Sequence, residues 1–290
     1  MTATARKFRA AVLQFEVDPT SIKNNLSIAE ELLEEAASEG AELAVFPEYC
    51  WTAYANPLLA EQVPSGPTST QLIELARRHS MCLALGSMIE KDQDGMHLTS
   101  MVIGRDGTIL GKHRKTSLVG ADLEVKLEER SVVGMKDELG AGMVAGNKLD
   151  PIQTELGTFG VLLGAELDVP EAARTLIMKG AEILLVSVSF ETRWVEDIDF
   201  LGRARAYENS AYVIVANRSG SWDSPEGYLT YGGGSAIISP LGEIICTVGQ
   251  RATRGIAVGT IDLDNLEKIR NSFNIINLRN SEAYLSAKGK

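Results

Sequence analysis

Apolar residues recur along this chain in two rhythms, and the rhythms alternate. Residues 8–15 (FRAAVLQF) form a short apolar run followed by Asp18 and Pro19, the pattern of a buried strand ending in a turn. Beyond it Ile22, Leu26, Ala29, Leu33 and Ala36 return every three or four residues with Glu and Lys between them. That spacing predicts a helix over 21–38, closed by Gly40. A second buried strand is expected at 43–46. The order continues with a helix at 72–79, a strand at 82–89, and strands at 98–103 and 108–112 joined by a turn at 105–107. In the second half 159–163, 183–188, 212–216, 235–239 and 257–261 read as strands, with helices at 170–179 and 195–209. Residues 119–148 follow neither rhythm and are rich in Gly and Glu, which predicts a long loop over a site. Strands and helices alternate in both halves with no Pro/Ser-rich linker between them. The expectation is an α/β chain forming a single domain over 1–290.

Composition narrows what such a chain can do. Of 290 residues, 44% are hydrophobic and 23% charged, ordinary proportions for a folded chain with a sizeable core. The 28 basic and 39 acidic residues leave a net charge of -11, which disfavours nucleic acid and anionic membrane surfaces, because both reward positive charge. No apolar stretch approaches the roughly 18 residues of a membrane span, and residues 1–15 do not read as a targeting segment. Cys50, Cys82 and Cys246 are odd in number, far apart and outside C-x-x-C spacing. Neither a disulfide framework nor a zinc site is expected, and a reducing cytoplasm fits best. No metal or cofactor requirement is legible.

Three strand ends carry unusual polar residues. At Phe46-Pro47-Glu48 a buried strand delivers a carboxylate among aromatics, where partial desolvation would suit a general base; a helix cap or a solvated surface Glu is the plainer reading. His113-Arg114-Lys115-Thr116 closes the hairpin strand. A lysine held near Glu48 could stabilise an oxyanion, or the cluster could simply be solvated. The third place, Gly160-Val161-Leu162-Leu163-Gly164-Ala165-Glu166 followed by Asp168, Pro170 and Glu171, looks like a strand feeding a tight turn into a helix. Enzymes of this class expose a nucleophile at such an elbow, yet its tip here is Gly164.

Taken in order, these motifs resemble the nitrilase superfamily of carbon–nitrogen hydrolases, whose pattern is a Glu in F-P-E, a Lys after Arg, and a Cys at a strand-to-helix elbow. Further similarity runs through Gly180-Ala181-Glu182, Arg203-Ala204-Arg205-Ala206-Tyr207-Glu208-Asn209, Ala216-Asn217, Gly233-Gly234-Ser235 and Ile261-Asp262-Leu263, nearly the whole chain. The resemblance implies a four-layer αββα sandwich, usually paired into homodimers or larger homo-oligomers, acting on a small-molecule amide, carbamoyl or nitrile compound. It implies Glu48 as base, Lys115 as oxyanion partner, and a second loop Glu, for which Glu138 is the best match with Glu128 and Glu129 as competitors. Tyr49, Trp51 and Tyr54 after the base, Glu166 after the elbow, and Phe190 with Arg193 are the candidate substrate contacts. Core packing is the alternative for the aromatics, and pairing with Glu196 the alternative for Arg193.

The nucleophile departs from the pattern. Where the family carries cysteine this chain carries Gly164, which has no atom to attack with, so covalent catalysis at that position is not expected, and the chain is expected to bind substrate without turning it over. Either the chain is a natural noncatalytic binder or scaffold, or a cysteine has been replaced in a protein that otherwise holds its substrate. Direct activation of water by Glu48 is a third route.

Overall fold

The computed structural model describes residues 6–120, 138–192, 195–224, 227–273 and 275–285. The first half builds one sheet from β1 (Lys7–Phe15), β2 (Leu43–Val45), β3 (Cys82–Ala84), β4 (Met88–Lys91), β5 (Met96–Ile103) and β6 (Ile109–Arg114). The second is built from β7 (Ile152–Thr154), β8 (Gly157–Leu163), β9 (Ile183–Val188) and β10 (Tyr212–Asn217). A separate hairpin, β11 (Ser219–Ser224) and β12 (Gly227–Gly232), precedes β13 (Ala236–Ile238), β14 (Ile244–Thr247) and β15 (Arg254–Asp262). β15 returns to the first sheet beside β1, whose strand order is β15-β1-β2-β3-β5-β4 with β6 on β5; the second runs β14-β13-β10-β9-β8-β7.

Alternation along the strands sorts side chains into layers, because successive residues of a strand point to opposite faces. On β1, Ala11 and Leu13 pack with Leu26, Leu33, Leu72 and Ala76 of helices α1 (Ile22–Ser38) and α2 (Pro67–His79). Ala10 and Val12 face the other way and meet Val161, Ile183, Leu185 and Ile214 of the second sheet. On that sheet Leu162, Leu184 and Val213 turn outward to α3 (Pro170–Met178) and α4 (Val195–Asn209). Helix, sheet, sheet, helix is the αββα order, and the inner layer joins residues from both halves of the chain. The short helices α5 (Leu263–Ser272) and α6 (Ser281–Leu285) close the chain.

The strand expected at 82–89 is divided into β3 and β4. Between them Gly86 lies so close to Pro47 that a Cβ there would fall 1.6 Å from the Pro47 carbonyl oxygen, so the chain bends around the Phe46-Pro47-Glu48 segment. α2 begins earlier than its apolar spacing indicates, because Pro67 at its first turn starts it. The described part of the predicted loop, residues 119–120 and 138–148, contains no helix and no named strand. The β11–β12 hairpin, β7 and β14 have no counterpart in the sequence reading; the hairpin and β7 lack a run of apolar residues, and β14, four residues long, leaves Ile244 and Ile245 exposed.

Candidate active site

Glu48 lies just past the C-terminal end of β2, where its backbone N–H donates to the Val188 carbonyl at 3.2 Å and the Ser187 hydroxyl donates to the Phe46 carbonyl at 2.7 Å. These two bonds tie the end of β2 in one sheet to the end of β9 in the other. β8 and β9 pair in parallel with Leu163 opposite Ser187, so the chain leaving β8 at Gly164 emerges beside the chain leaving β9 at Ser189. Parallel strands therefore bring Glu48, Gly164 and Ser189 to one end of the molecule, the end at which open α/β sheets hold their ligands. Lys115 arrives from the first sheet, one residue beyond β6, held by its N–H to the Leu98 carbonyl at 2.8 Å.

The side chains meet in the interior. Lys115 Nζ donates to Glu48 Oε1 at 3.0 Å and to Glu138 Oε1 at 2.5 Å, and all three residues are at most 2% exposed. The Tyr49 hydroxyl donates to Glu138 Oε1 at 2.6 Å, the Val119 N–H donates to Glu138 Oε2 at 2.8 Å, and the Ser189 hydroxyl donates to Glu48 Oε2 at 2.7 Å. Burial by itself would lower the proton affinity of Lys115, but the adjoining charges of Glu48 and Glu138 and their hydrogen bonds outweigh it. The ammonium is held above the ordinary lysine range. Tyr49 is pushed well above the usual phenol value, chiefly by burial and then by the Glu138 and Glu48 charges, so it remains a donor.

Gly164 closes this group. Its φ is +50°, and a Cβ built on it would lie 2.5 Å from Glu48 Oε1, 2.8 Å from Glu48 Oε2 and 2.7 Å from Lys115 Nζ. The carboxylate and ammonium lie in the volume a side chain would take. Two residues on, Glu166 is fully buried and spends both oxygens on the chain itself. Oε2 lies 2.8 Å from His113 Nε2 and accepts from the Leu163 N–H at 2.8 Å; Oε1 accepts from the Thr116 N–H and hydroxyl at 2.7 Å each. Glu166 thus fastens the Lys115 segment to the elbow instead of presenting a free carboxylate. Burial would raise its proton affinity, but the His113 and Thr116 hydrogen bonds and the His113 charge win, and its carboxyl sits below the usual glutamate value.

The remaining candidates scatter. Tyr49 joins the central group, whereas Trp51 packs against Phe46 in the helix-side core, ring centroids 5.3 Å apart. Tyr54 stacks on Trp222 at 5.1 Å. Phe190 packs among the residues between the second sheet and its helices, with its N–H donating to Asn217 Oδ1 at 2.8 Å. Arg193, Glu128 and Glu129 lie outside the described residues. Ser189 is the site residue the sequence reading passes over. The signal for it is the run Ser187-Val188-Ser189 at the end of an otherwise apolar strand, where a hydroxyl has no reason to stand unless it finds a polar partner. Among the described residues no group of His, Cys, Asp and Glu is arranged to hold a metal ion, and no helix is long and apolar enough to cross a membrane.

A buried carboxylate–ammonium–carboxylate group at the strand ends of an αββα sandwich is equipped for proton transfer beside a fixed positive charge, the equipment of a hydrolase acting on acyl compounds. The profile of the carbon–nitrogen hydrolase family matches residues 9–271, and this chain belongs to that family, within the nitrilase superfamily. The omega-amidase NIT2 of Xenopus tropicalis is 31% identical over 284 residues, covering 96% of this chain and 97% of that protein. The carbon–nitrogen hydrolase of Helicobacter pylori G27 shares the fold with a TM-score of 0.84 at 23% identity over 99% of both chains. A cysteine-to-alanine mutant of the amidase from Nesterenkonia sp. AN1, in complex with butyramide, superposes with a TM-score of 0.74 at 22% identity over 97% of both chains.

Proposed function

We propose that this chain is an amidase-type member of its family that binds a small amide, N-carbamoyl or nitrile compound against Glu48, Lys115 and Glu138. In this reading Glu48 is the proton acceptor and donor, Lys115 the cation that faces a developing oxyanion, and Glu138 with Tyr49 the support that aims the ammonium. Gly164 occupies the place where the family resemblance puts the nucleophilic cysteine, so no thioester can form there. The observation that carries the reading is the 2.5–2.8 Å separation between a Cβ at Gly164 and the working atoms of Glu48 and Lys115. A chain that had drifted to a purely structural role would have little reason to keep such buried charges, which cost several kcal/mol each to desolvate.

The experiment is Gly164→Cys assayed for ammonia release over a panel of simple amides, N-carbamoyl compounds and nitriles. Hydrolysis appearing with the substitution, and lost again in Gly164→Cys/Glu48→Gln, supports the reading. A folded Gly164→Cys protein inert toward the whole panel favours the noncatalytic binder or scaffold. The substitution asks Glu48 and Lys115 to withdraw to ordinary contact of 3.4 Å or more, which the ends of flexible side chains can do. It also places a side chain at positive φ, at about 1–2 kcal/mol of stability. We place the protein in the reducing cytoplasm on its free cysteines, and in a homo-oligomer on the exposed rings of Phe200 and Tyr207 along α4.

A further inference from the structure

We infer that Ser189 supplies an oxygen nucleophile in place of the side chain missing at position 164, making the site a slow serine-based acyl transferase to water. The inference rests on the amidase-type reading above. Glu48 Oε2 accepts the Ser189 hydroxyl at 2.7 Å, and the same oxygen would stand 2.8 Å from a Cβ at Gly164. A side chain at 164 and the hydroxyl at 189 are therefore two claimants on one base, and only one of them exists in this chain. A nucleophile within about 2.6–3.2 Å of its base is the geometry from which proton removal and attack proceed together.

The surroundings complete the requirement. Ser189 is 1% exposed, one residue beyond β9 and beside the elbow that follows β8, so its hydroxyl and Gly164 flank the same carboxylate. Lys115 has three N–H donors, two of them spent on Glu48 and Glu138. Among the described residues no acceptor takes the third, and Nζ faces Gly164, 2.7 Å from where a Cβ would stand. Two other nucleophile-bearing side chains among the described residues are engaged elsewhere. Tyr49 donates to Glu138, and the Cys50 thiol is buried in the helix-side core.

The chemistry balances with water as the co-reactant. Ser189 Oγ bonds to the acyl carbon as its proton passes to Glu48 Oε2 and the carbonyl electron pair moves onto the oxygen beside Lys115. Collapse of that intermediate breaks the C–N bond, the proton goes from Glu48 to the leaving nitrogen, and an ester on Ser189 remains. Water, giving its proton to Glu48, adds to the ester; the C–O bond to Ser189 breaks, the proton returns to Oγ, and the free acid leaves. The net reaction is amide plus water to acid plus amine. A hydroxyl is harder to deprotonate than a thiol, so unactivated amides turn over slowly and activated esters acylate first.

The full-length protein treated with p-nitrophenyl acetate and digested for mass spectrometry should carry an acetyl group on the peptide containing Ser189. Both Ser189→Ala and Glu48→Gln should reduce the burst of p-nitrophenol by about 100-fold or more, with the folded state of each verified by circular dichroism and thermal melting. A merely orienting role for Ser189 leaves no covalent mark. An unmodified Ser189, acetylation mapped only to other residues, or an undiminished burst in Ser189→Ala overturns the proposal. The double variant Gly164→Cys/Ser189→Ala separates this outcome from failure of the underlying reading. If it releases ammonia from amides while Ser189→Ala alone behaves as the parent, the amidase reading stands and the serine nucleophile falls.

Discussion

Lys115 shows at the level of one side chain how the site is held. Its ammonium is fully enclosed, and the charge is tolerated because two carboxylates lie within 3.0 Å and a third group, the Tyr49 hydroxyl, shares the nearer of them. Lys115→Met removes the cation but leaves Glu48 and Glu138 buried and facing the same space. Destabilisation of about 3–5 kcal/mol is expected, from urea unfolding monitored by tryptophan fluorescence, because the loss is that of uncompensated buried charge. A change under about 1 kcal/mol would mean the three groups are not held as an enclosed cluster. The sequence pointed to each of these residues singly, since a carboxylate at a strand end and a lysine beyond a hairpin are visible in the string. Their mutual distance is not visible, because Glu48 and Lys115 come from strands that are not neighbours in the sheet.

Strands and turns explain why Glu166, marked from the motif as a substrate contact, behaves otherwise. It begins the descent from the elbow into α3, but its carboxylate reaches back to Leu163 and across to His113 and Thr116, joining β8 to the end of β6. The elbow of one sheet and the lysine of the other are thereby set at a fixed separation. The pH consequence follows from the depressed carboxyl. A group whose folded proton affinity is below its unfolded one stabilises the fold above the unfolded value and loses that contribution as pH falls through the folded value. Stability should accordingly decline below the ordinary glutamate value near 4.5, and Glu166→Gln should be less stable at neutral pH with a shallower acid decline. Urea midpoints of both proteins between pH 3 and pH 7 check this, and parallel curves for the two would count against it. At this scale the long apolar strands and amphipathic helices were legible, while the break between β3 and β4 was not. That break answers to Pro47 approaching Gly86 from elsewhere in the chain, and local periodicity carries no record of such an approach.

The molecule as a whole leaves one feature of its outer layer without an internal explanation. α4 exposes Phe200 at 70% and Tyr207 at 47%, and Tyr207 lies 6.3 Å from the ring of Phe273, itself half exposed beyond α5. Apolar rings gathered on one helical face mark a surface that gains by being covered, and a second copy of the chain is the occupant our reading assigns. Sedimentation at micromolar concentration should give a dimer or larger assembly, and Phe200→Glu with Tyr207→Glu should shift it toward monomer. A monomeric parent protein would remove the basis for the assignment. From the amino-acid order alone came the alternation of strands and helices, the αββα class through the family resemblance of its motifs, Glu48, Lys115 and Gly164 as candidates with Glu138, Glu128 or Glu129 as the loop carboxylate, and the absence of a thiol at the elbow. These are properties of neighbours in the chain or of residue types, which a string preserves. Only the tertiary structure decided that Trp51 and Tyr54 pack away from the charged group, that Glu166 is a fastening, and that the Ser189 hydroxyl donates to the carboxylate of Glu48 beside Gly164. Each depends on which residues from distant segments occupy the same few ångströms, and parallel pairing of β8 with β9, with β2 tied across to β9, fixes that.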